Sequence, residues 1–358
     1  MRRRTATLLV VALAALLAVA AAQSRPRASS TIDIGYVGDK SGPTVASQAP
    51  GIHAMAAYFK MVNDAGGVKG KKINLIERDD QYNPAIELQQ VKQLVTDDKV
   101  PLVVGLGQSS GAASVIPVLA QNQTVGFFTQ SNIREVTSPF QKWLFTGNCN
   151  LADQVDAAIG YELVRLHKKN LKGVKVGIAA IAVASGQEWT DLSKAAVERN
   201  GGTTVTESLP SAIVNADVQV QDLASEKVDF IMMHHAVAGG IAMLKSLAKY
   251  NVKVPVLGSY GVTNDAVFTQ SPFEAAKNFY GMNCFTPPNI VKTAKGKQAT
   301  AMGKKYGYPD NETSQLNWSL GWSQGQLITE ALKKVKGDYT ADNIRKALES
   351  VKNLDTGG

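Results

Sequence analysis

The chain has 358 residues, 44% of them hydrophobic and 19% charged, with a formal net charge of +8. A chain of this length and apolarity can bury more than one core, predicts about two lobes, and is not disordered by composition. Beyond the three arginines at its start, its surplus positive charge is scattered without a basic run, which describes a solvated surface and argues against a nucleic-acid footprint.

The first element in chain order is a leader. Arg2, Arg3 and Arg4 precede an uncharged apolar run, Leu8 to Ala22, that ends in small residues, the layout of a secretory signal peptide. The run is short of the ~20 apolar residues a permanent span needs, and no later segment approaches that length. Residues 1–22 are therefore expected to be removed on export, leaving a soluble periplasmic protein of formal charge +5, the +8 less three arginines. The residues after the arginines do not extend a twin-arginine match, and no cysteine near the cleavage site offers a lipid anchor. Cys149 and Cys284 are too few for a disulfide scaffold and lack metal-site spacing, although export makes one bridge chemically open.

From residue 31 the pattern alternates. Strands are expected at 32–37, 73–77, 102–106 and 125–129, interleaved with helices 51–64, 84–97 and 112–121, which predicts a parallel sheet covered on both faces. The cycle restarts after WLFTGNC (143–149), with helices 152–168, 188–199, 217–225 and 238–249 around strands 175–182, 203–207, 228–235 and 254–258. NFYGMNCFTPP (278–288) reads as a further strand, and helical stretches follow near 291–306, 315–335 and 340–351.

Residues 73–105, INLIERDDQYNPAIELQQVKQLVTDDKVPLVVG, set a strand, a carboxylate-rich turn, a helix and a second strand in one βαβ unit. Asp79, Asp80, Pro84 and Gly105 form the pattern DD-x-x-x-P and a glycine-ended strand, preceded by GYVGDKSGP (35–43) and NDAGGVKGKKI (63–73). In these features the chain resembles the periplasmic solute-binding proteins of branched-chain amino acid type ABC transporters, the leucine/isoleucine/valine-binding protein family. The resemblance implies an α/β fold of two doubly wound Rossmann-like lobes joined by crossover strands, the type I periplasmic binding protein fold. Lobe 1 would span 31–146, lobe 2 147–282, and 283–358 would return to lobe 1. The family continues through a third crossover and a last strand pair, so a chain stopping at LDTGG is expected to be truncated. Cys149 and Cys284 would both lie on crossings, near enough to bridge, with two buried thiols as the alternative.

GLGQSSGAAS (105–114) joins a strand to a helix, and its glycines, amides and the Ser109 and Ser110 hydroxyls read as an anion site. A dinucleotide turn fails because GxGxxG breaks at Ser110; a plain structural turn stays open. The resemblance places the ligand carboxylate on Ser109 and adds Ser131 and Asn132 from FFTQSN (127–132). It sets Ser185 where a family aromatic closes over the ligand and Trp318 near the other aromatic wall, while Trp189 is core or lid. GWSQG (321–325) matches a G-x-S-x-G nucleophile elbow, but His53, His167, His234 and His235 all precede Ser323. Leu316, Leu320, Leu327 and Ala331 also recur at helical spacing, so no catalytic residue is assigned.

His234 and His235 close VDFIMMHH, where neighbours point to opposite sides, so one of them, His235, is read as a ligand contact and no metal site is expected; a structural pair is the alternative. Tyr260, in VLGSYGV, falls where amino-acid-binding relatives carry the glutamate of G-P-E-G against the ligand ammonium. A phenol is uncharged at neutral pH, and burying an ammonium without its counter-charge costs several kcal/mol. Tyr260 could instead merely pack, or Glu188 or Asp265 could supply the acid.

Together these features imply a non-enzymatic binding component that captures a small amino-acid-like, carboxylate or amide solute by lobe closure. It would present the solute to an inner-membrane ABC permease and its ATPase, as a monomer with no cofactor, metal or nucleic acid. A ligand sensor of the same fold, feeding a receptor or regulator, is the alternative, and a secreted enzyme the third reading. Export predicts a mature chain starting near Gln23; intact mass checks this, and retention of Leu8 to Ala22 or a diacylglyceryl group contradicts it.

Overall fold

The computed structural model describes residues 30–129, 131, 133–288 and 290–357. The expected signal segment, residues 1–22, lies outside them. Ten strands form two wholly parallel five-stranded sheets. The first contains β1 (Thr31–Gly38), β2 (Lys72–Asp79), β3 (Leu102–Gly105), β4 (Val125–Phe128) and β5 (Leu144–Thr146), in the order β2-β1-β3-β4-β5. The second contains β6 (Lys175–Ile181), β7 (Thr203–Leu209), β8 (Phe230–His234), β9 (Val256–Gly258) and β10 (Phe279–Gly281), in the order β7-β6-β8-β9-β10. The same strand order recurs, reversing direction between β1 and β3 in one sheet and between β6 and β8 in the other.

Every residue of β3, β4 and β8 is buried, which is why these strands read as unbroken apolar runs. Helices cover both faces of each sheet. In the second, Ile231 and Met233 face one core while Phe230 and Met232 face the other, the period of two that a pleated strand imposes. The first likewise separates a core around Ile34, Phe59 and Val104 from one around Val37, Leu94 and Val103.

The longer helices of the first lobe are α1 (Val45–Asp64), α2 (Pro84–Thr96) and α3 (Ala112–Gln121), with a single turn, α4 (Arg134–Thr137), after them. The second lobe carries α5 (Leu151–Arg165), α6 (Ala184–Arg199), α7 (Asp217–Ser225), α8 (Val237–Lys249) and the short α9 (Asp265–Thr269) and α10 (Phe273–Ala276). Then come α11 (Ala294–Lys305), α12 (Asp310–Thr313), α13 (Leu316–Lys334) and α14 (Ala341–Glu349). Trp318, Trp322, Ile328, Leu332 and Leu348 from this last stretch lie in the same core as Ile34 and Phe59. Among the described residues no helix is long and apolar enough to cross a membrane.

Several boundaries differ from the sequence reading. The helix expected over 51–64 begins earlier: α1 starts at Val45 and carries Pro50 inside it, giving up one i→i−4 bond. The strand expected over 278–288 is confined to Phe279–Gly281. α6 starts at Ala184 instead of 188, which carries Ser185 into its first turn. The single-turn helices α4, α9, α10 and α12 have no periodic signal.

GWSQG lies wholly inside α13. A Cβ added at Gly321 would stand 1.8 Å from the Gly51 carbonyl oxygen, so α1 and α13 touch backbone to backbone there. Gly325 faces Tyr58, whose ring meets Trp322 edge-on with centroids 4.9 Å apart. The two glycines are a packing seam.

Cys149 lies where the chain leaves the first sheet and Cys284 where it leaves the second; they form a disulfide with Cα atoms 6.1 Å apart. It closes a loop spanning 135 residues that contains the whole second sheet. Chain-entropy arguments give such a closure about 5 kcal/mol. Cys149→Ser with Cys284→Ser should therefore lower the urea midpoint of the second lobe markedly, and reduction of the native protein should do the same. An unchanged midpoint would show that the bridge adds nothing.

Candidate functional site

The carboxyl ends of the two sheets face each other, and between them lies a cavity of about 60 Å3. Ligands of open α/β sheets sit at this edge, beside the strand-order reversal. Thr44, Ser47, Gln48, Tyr82, Gly107, Ser109, Ser131 and Asn317 line it from the first lobe, and Ile181, Ser185, His234, His235, Ala236, Tyr260 and Gly261 from the second.

On the first lobe, the loop after β1 is closed by Asp39. Its carboxylate accepts from Ser41 N at 3.2 Å, from Gly42 N, and from Thr44 N and Thr44 Oγ1, each at 2.7 Å. Gln48 fixes the same corner, donating through Nε2 to Thr44 Oγ1 at 2.9 Å and accepting from Asp39 N at 3.1 Å. After β2, Asp79 accepts from Gln81 N at 3.0 Å and Asp80 from Tyr82 N at 2.8 Å. Gln81 and Tyr82 both take left-handed backbone conformations, φ +53° and +56°. Asn83 then caps α2, and Pro84 takes its first position. The DD-x-x-N-P turn thereby delivers Tyr82 to the cavity, which it lines together with Ser109.

The structure brings Ser109, Ser131, Ser185, His235 and Tyr260 together on the cavity. Ser131 Oγ is buried with no hydrogen-bond partner among the described residues, an unspent hydroxyl at the wall. Asn132 lies outside the described residues. Ser110 does not line the cavity; its Oγ accepts from Ala184 N of the second lobe at 3.2 Å, as Ser109 Oγ accepts from Ser185 N at 3.1 Å. Trp318 is fully buried in the first core, its indole N–H donating to Ala299 O at 3.1 Å, while the residue before it, Asn317, reaches the cavity. Trp189 is also fully buried, stacked on His234.

Both histidines reach the cavity, because strand alternation ends at His234. His234 Nδ1 pairs with Ser259 Oγ at 2.7 Å and Nε2 with Ser185 Oγ at 3.1 Å. Burial, and then His235, hold its pKa down to about 3, so it is neutral. His235 accepts at Nδ1 from Ala236 N, 2.8 Å, and so donates from Nε2 to Pro210 O, 3.0 Å; burial lowers its pKa too. Tyr260 is anchored twice, donating its amide to Gln154 Oε1 at 2.8 Å and pairing its phenol with Asn148. Burial first, and then the neighbouring Tyr82, raise the pKa of that phenol, so it stays protonated. Among the described residues, none that lines the cavity carries a formal charge at neutral pH.

The family of periplasmic binding proteins matches residues 31–358. This chain belongs to that family. A Leu/Ile/Val-binding protein homologue from Brucella melitensis is 26% identical over 330 residues, covering 92% of this chain and 86% of the relative. Two solved structures share the fold of this periplasmic binding protein. A branched-chain amino acid ABC transporter protein from Thermus thermophilus with bound valine has TM-score 0.81 at 20% identity, covering 89% of this chain and 83% of that one. A solute-binding protein from Rhodopseudomonas palustris in complex with 3,4-dihydroxybenzoic acid has TM-score 0.74 at 21% identity, covering 89% and 85%.

Behind the neutral cavity of this binding protein sits an acidic layer. Asp39, Asp79 and Asp80 each bring a carboxylate oxygen within 4.8 Å of the others. Asp39 already accepts four donors, so the group builds loops and leaves little capacity for a cation. Asp80 is fully buried and its Oδ2 is unpartnered among the described residues. Burial first, then Asp39 and Asp79, raise its pKa to about 7, against the Tyr82 amide bond that lowers it. Glu87 is likewise pushed up by burial and by Asp80.

An unfolded aspartate titrates near ~3.9, so folded Asp80 retains a proton that the unfolded chain releases. Its contribution is present below about pH 4, is lost as pH rises towards 7, and is level above that. Asp80→Asn keeps the Oδ1 acceptor for Tyr82 N and removes the titration. The stability of the variant relative to wild type should grow by up to about 4 kcal/mol between pH 4 and pH 8. Denaturant melts with equal pH slopes for the two proteins would refute this assignment.

Proposed function

We propose that this protein is the extracytoplasmic substrate-binding component of an ABC transporter, capturing a compact carboxylate or amide solute by lobe closure. The moving bodies are residues 31–146 with 283–358, and residues 147–282. It acts as a monomer in the periplasm and hands its solute to an inner-membrane permease and its ATPase.

The observation that carries this reading is the charge inventory of the cavity. Hydroxyls of Ser109, Ser131, Tyr82 and Tyr260, and the Asn317 amide, can donate to a carboxylate or carbonyl oxygen. A buried ammonium needs an anionic acceptor, and none lines the wall among the described residues. Glu188 Oε2 accepts from Arg134 N at 2.9 Å, and Asp265 stands on α9; neither is a lining residue. Size points the same way. A cavity of ~150 Å3 holds benzene, and about 60 Å3 suits a solute of few heavy atoms in the closed shape. Relatives of this fold hold valine in one case and 3,4-dihydroxybenzoic acid in another, so the fold admits both charge patterns.

Mass spectrometry of solute carried through purification, followed by calorimetric titration, tests the proposal. Small carboxylates and amides should include a micromolar binder, and leucine, isoleucine and valine should give no heat. Micromolar or tighter binding of a branched-chain amino acid, with every ammonium-free compound silent, would overturn it.

A further inference from the structure

The first amides of every helix lack partners within the helix. Some helices of this chain are supplied locally: Asn83, Asn150, Thr293 and Thr340 cap α2, α5, α11 and α14 with their own side chains. The 16-residue α6 and the 13-residue α8 are not. Their N-cap residues are Val183 and Ala236, which offer no side-chain cap, a lack they share with α1, α3, α7 and α13. Both helices start at the edge of the second lobe that meets the first. There Ala184 N donates to Ser110 Oγ at 3.2 Å, Ser185 N to Ser109 Oγ at 3.1 Å and Val237 N to Ser47 Oγ at 3.2 Å.

We propose that Ser47, Ser109 and Ser110 of the first lobe cap these two helices of the second lobe in trans, forming a latch that holds the lobes closed. Parting the lobes would leave α6 and α8 uncapped, so the caps stabilise the closed form specifically. The Arg134 N bond to Glu188 Oε2 is the reciprocal contact, running from the first lobe to the second. Ser110, standing outside the cavity wall, then serves to position the lobes and leaves the solute to others. The latch rests on the closure reading above and is independent of which solute is bound.

Amide hydrogen exchange on the full mature protein without added solute, resolved residue by residue, tests the latch. In the wild type the amides of Ala184, Ser185 and Val237 should be protected. Ser110→Ala should raise exchange about fivefold at Val237 as well as at Ala184, the change given by losing a cap of ~1 kcal/mol. Val237 touches Ser47 and not Ser110, so a change there reports lobe parting. Ser110→Thr, which keeps a hydroxyl, should restore protection. Ser114→Ala is the control, because Ser114 Oγ donates to Gly111 O within its own segment at 2.7 Å. Protection of Val104 in the first core shows that a variant is folded; if Ser110→Ala fails that check, Ser47→Ala read at Ala184 replaces it. Unprotected amides in the wild type, or a change confined to Ala184, would overturn the latch. Failure of the titrations above with an intact exchange pattern would instead count against the solute class alone.

Discussion

The constraint on which this structure depends is strand direction. With every strand of a sheet parallel, the turns that follow the strands all gather at its carboxyl edge, and the chain faces two such edges toward each other. Each sheet separates two apolar cores, so neither face is available for a site. The junction is what remains. The loops after β1, β2, β3 and β4 meet those after β6, β8 and β9, and the cavity is the space that their side chains leave.

The electrostatics follow from the same layout. The acids of the first lobe are spent on loop geometry: Asp39 closes one turn, and Asp79 and Asp80 hold two successive left-handed residues in the next. They lie behind the wall while tyrosine, serine and amide groups form it. A carboxylate solute can be tolerated beside that layer because Asp80 and Glu87 are driven toward their neutral forms by burial. The turn that carries Tyr82 thus decides two properties of the site at once, its shape and its lack of charge.

Most of the fold was legible in the sequence because the fully buried strands are continuous apolar runs between helical segments, and the DD-x-x-x-P turn carries the family resemblance. Much of the cavity was legible through the same turns. The residues missed share a cause. Tyr82 sits two places past the aspartate pair and reaches the cleft through a left-handed turn that no periodicity reports. His234 joins His235 because the strand ends there, and Thr44, Ser47 and Gln48 reach the cavity because α1 begins ahead of Pro50. Trp318 went the other way: one helical residue is a rotation of 100°, enough to exchange a core indole for the Asn317 amide.

The crossings are tied to the cavity through Tyr260. Cys149, bridged to Cys284, is flanked by Asn148, which pairs with the Tyr260 phenol. Gln154 accepts the Tyr260 amide and donates from Nε2 to Asn150 O at 3.1 Å, inside the same crossing. Tyr260 is therefore both a wall residue of the cavity and a strut of the crossing. An acid at 260 would lose the phenol's pairing with Asn148 while adding a charge beside Tyr82. The cost would fall on the crossing as well as on the cavity, so the charge of the wall and the packing of the crossing are coupled through this one residue.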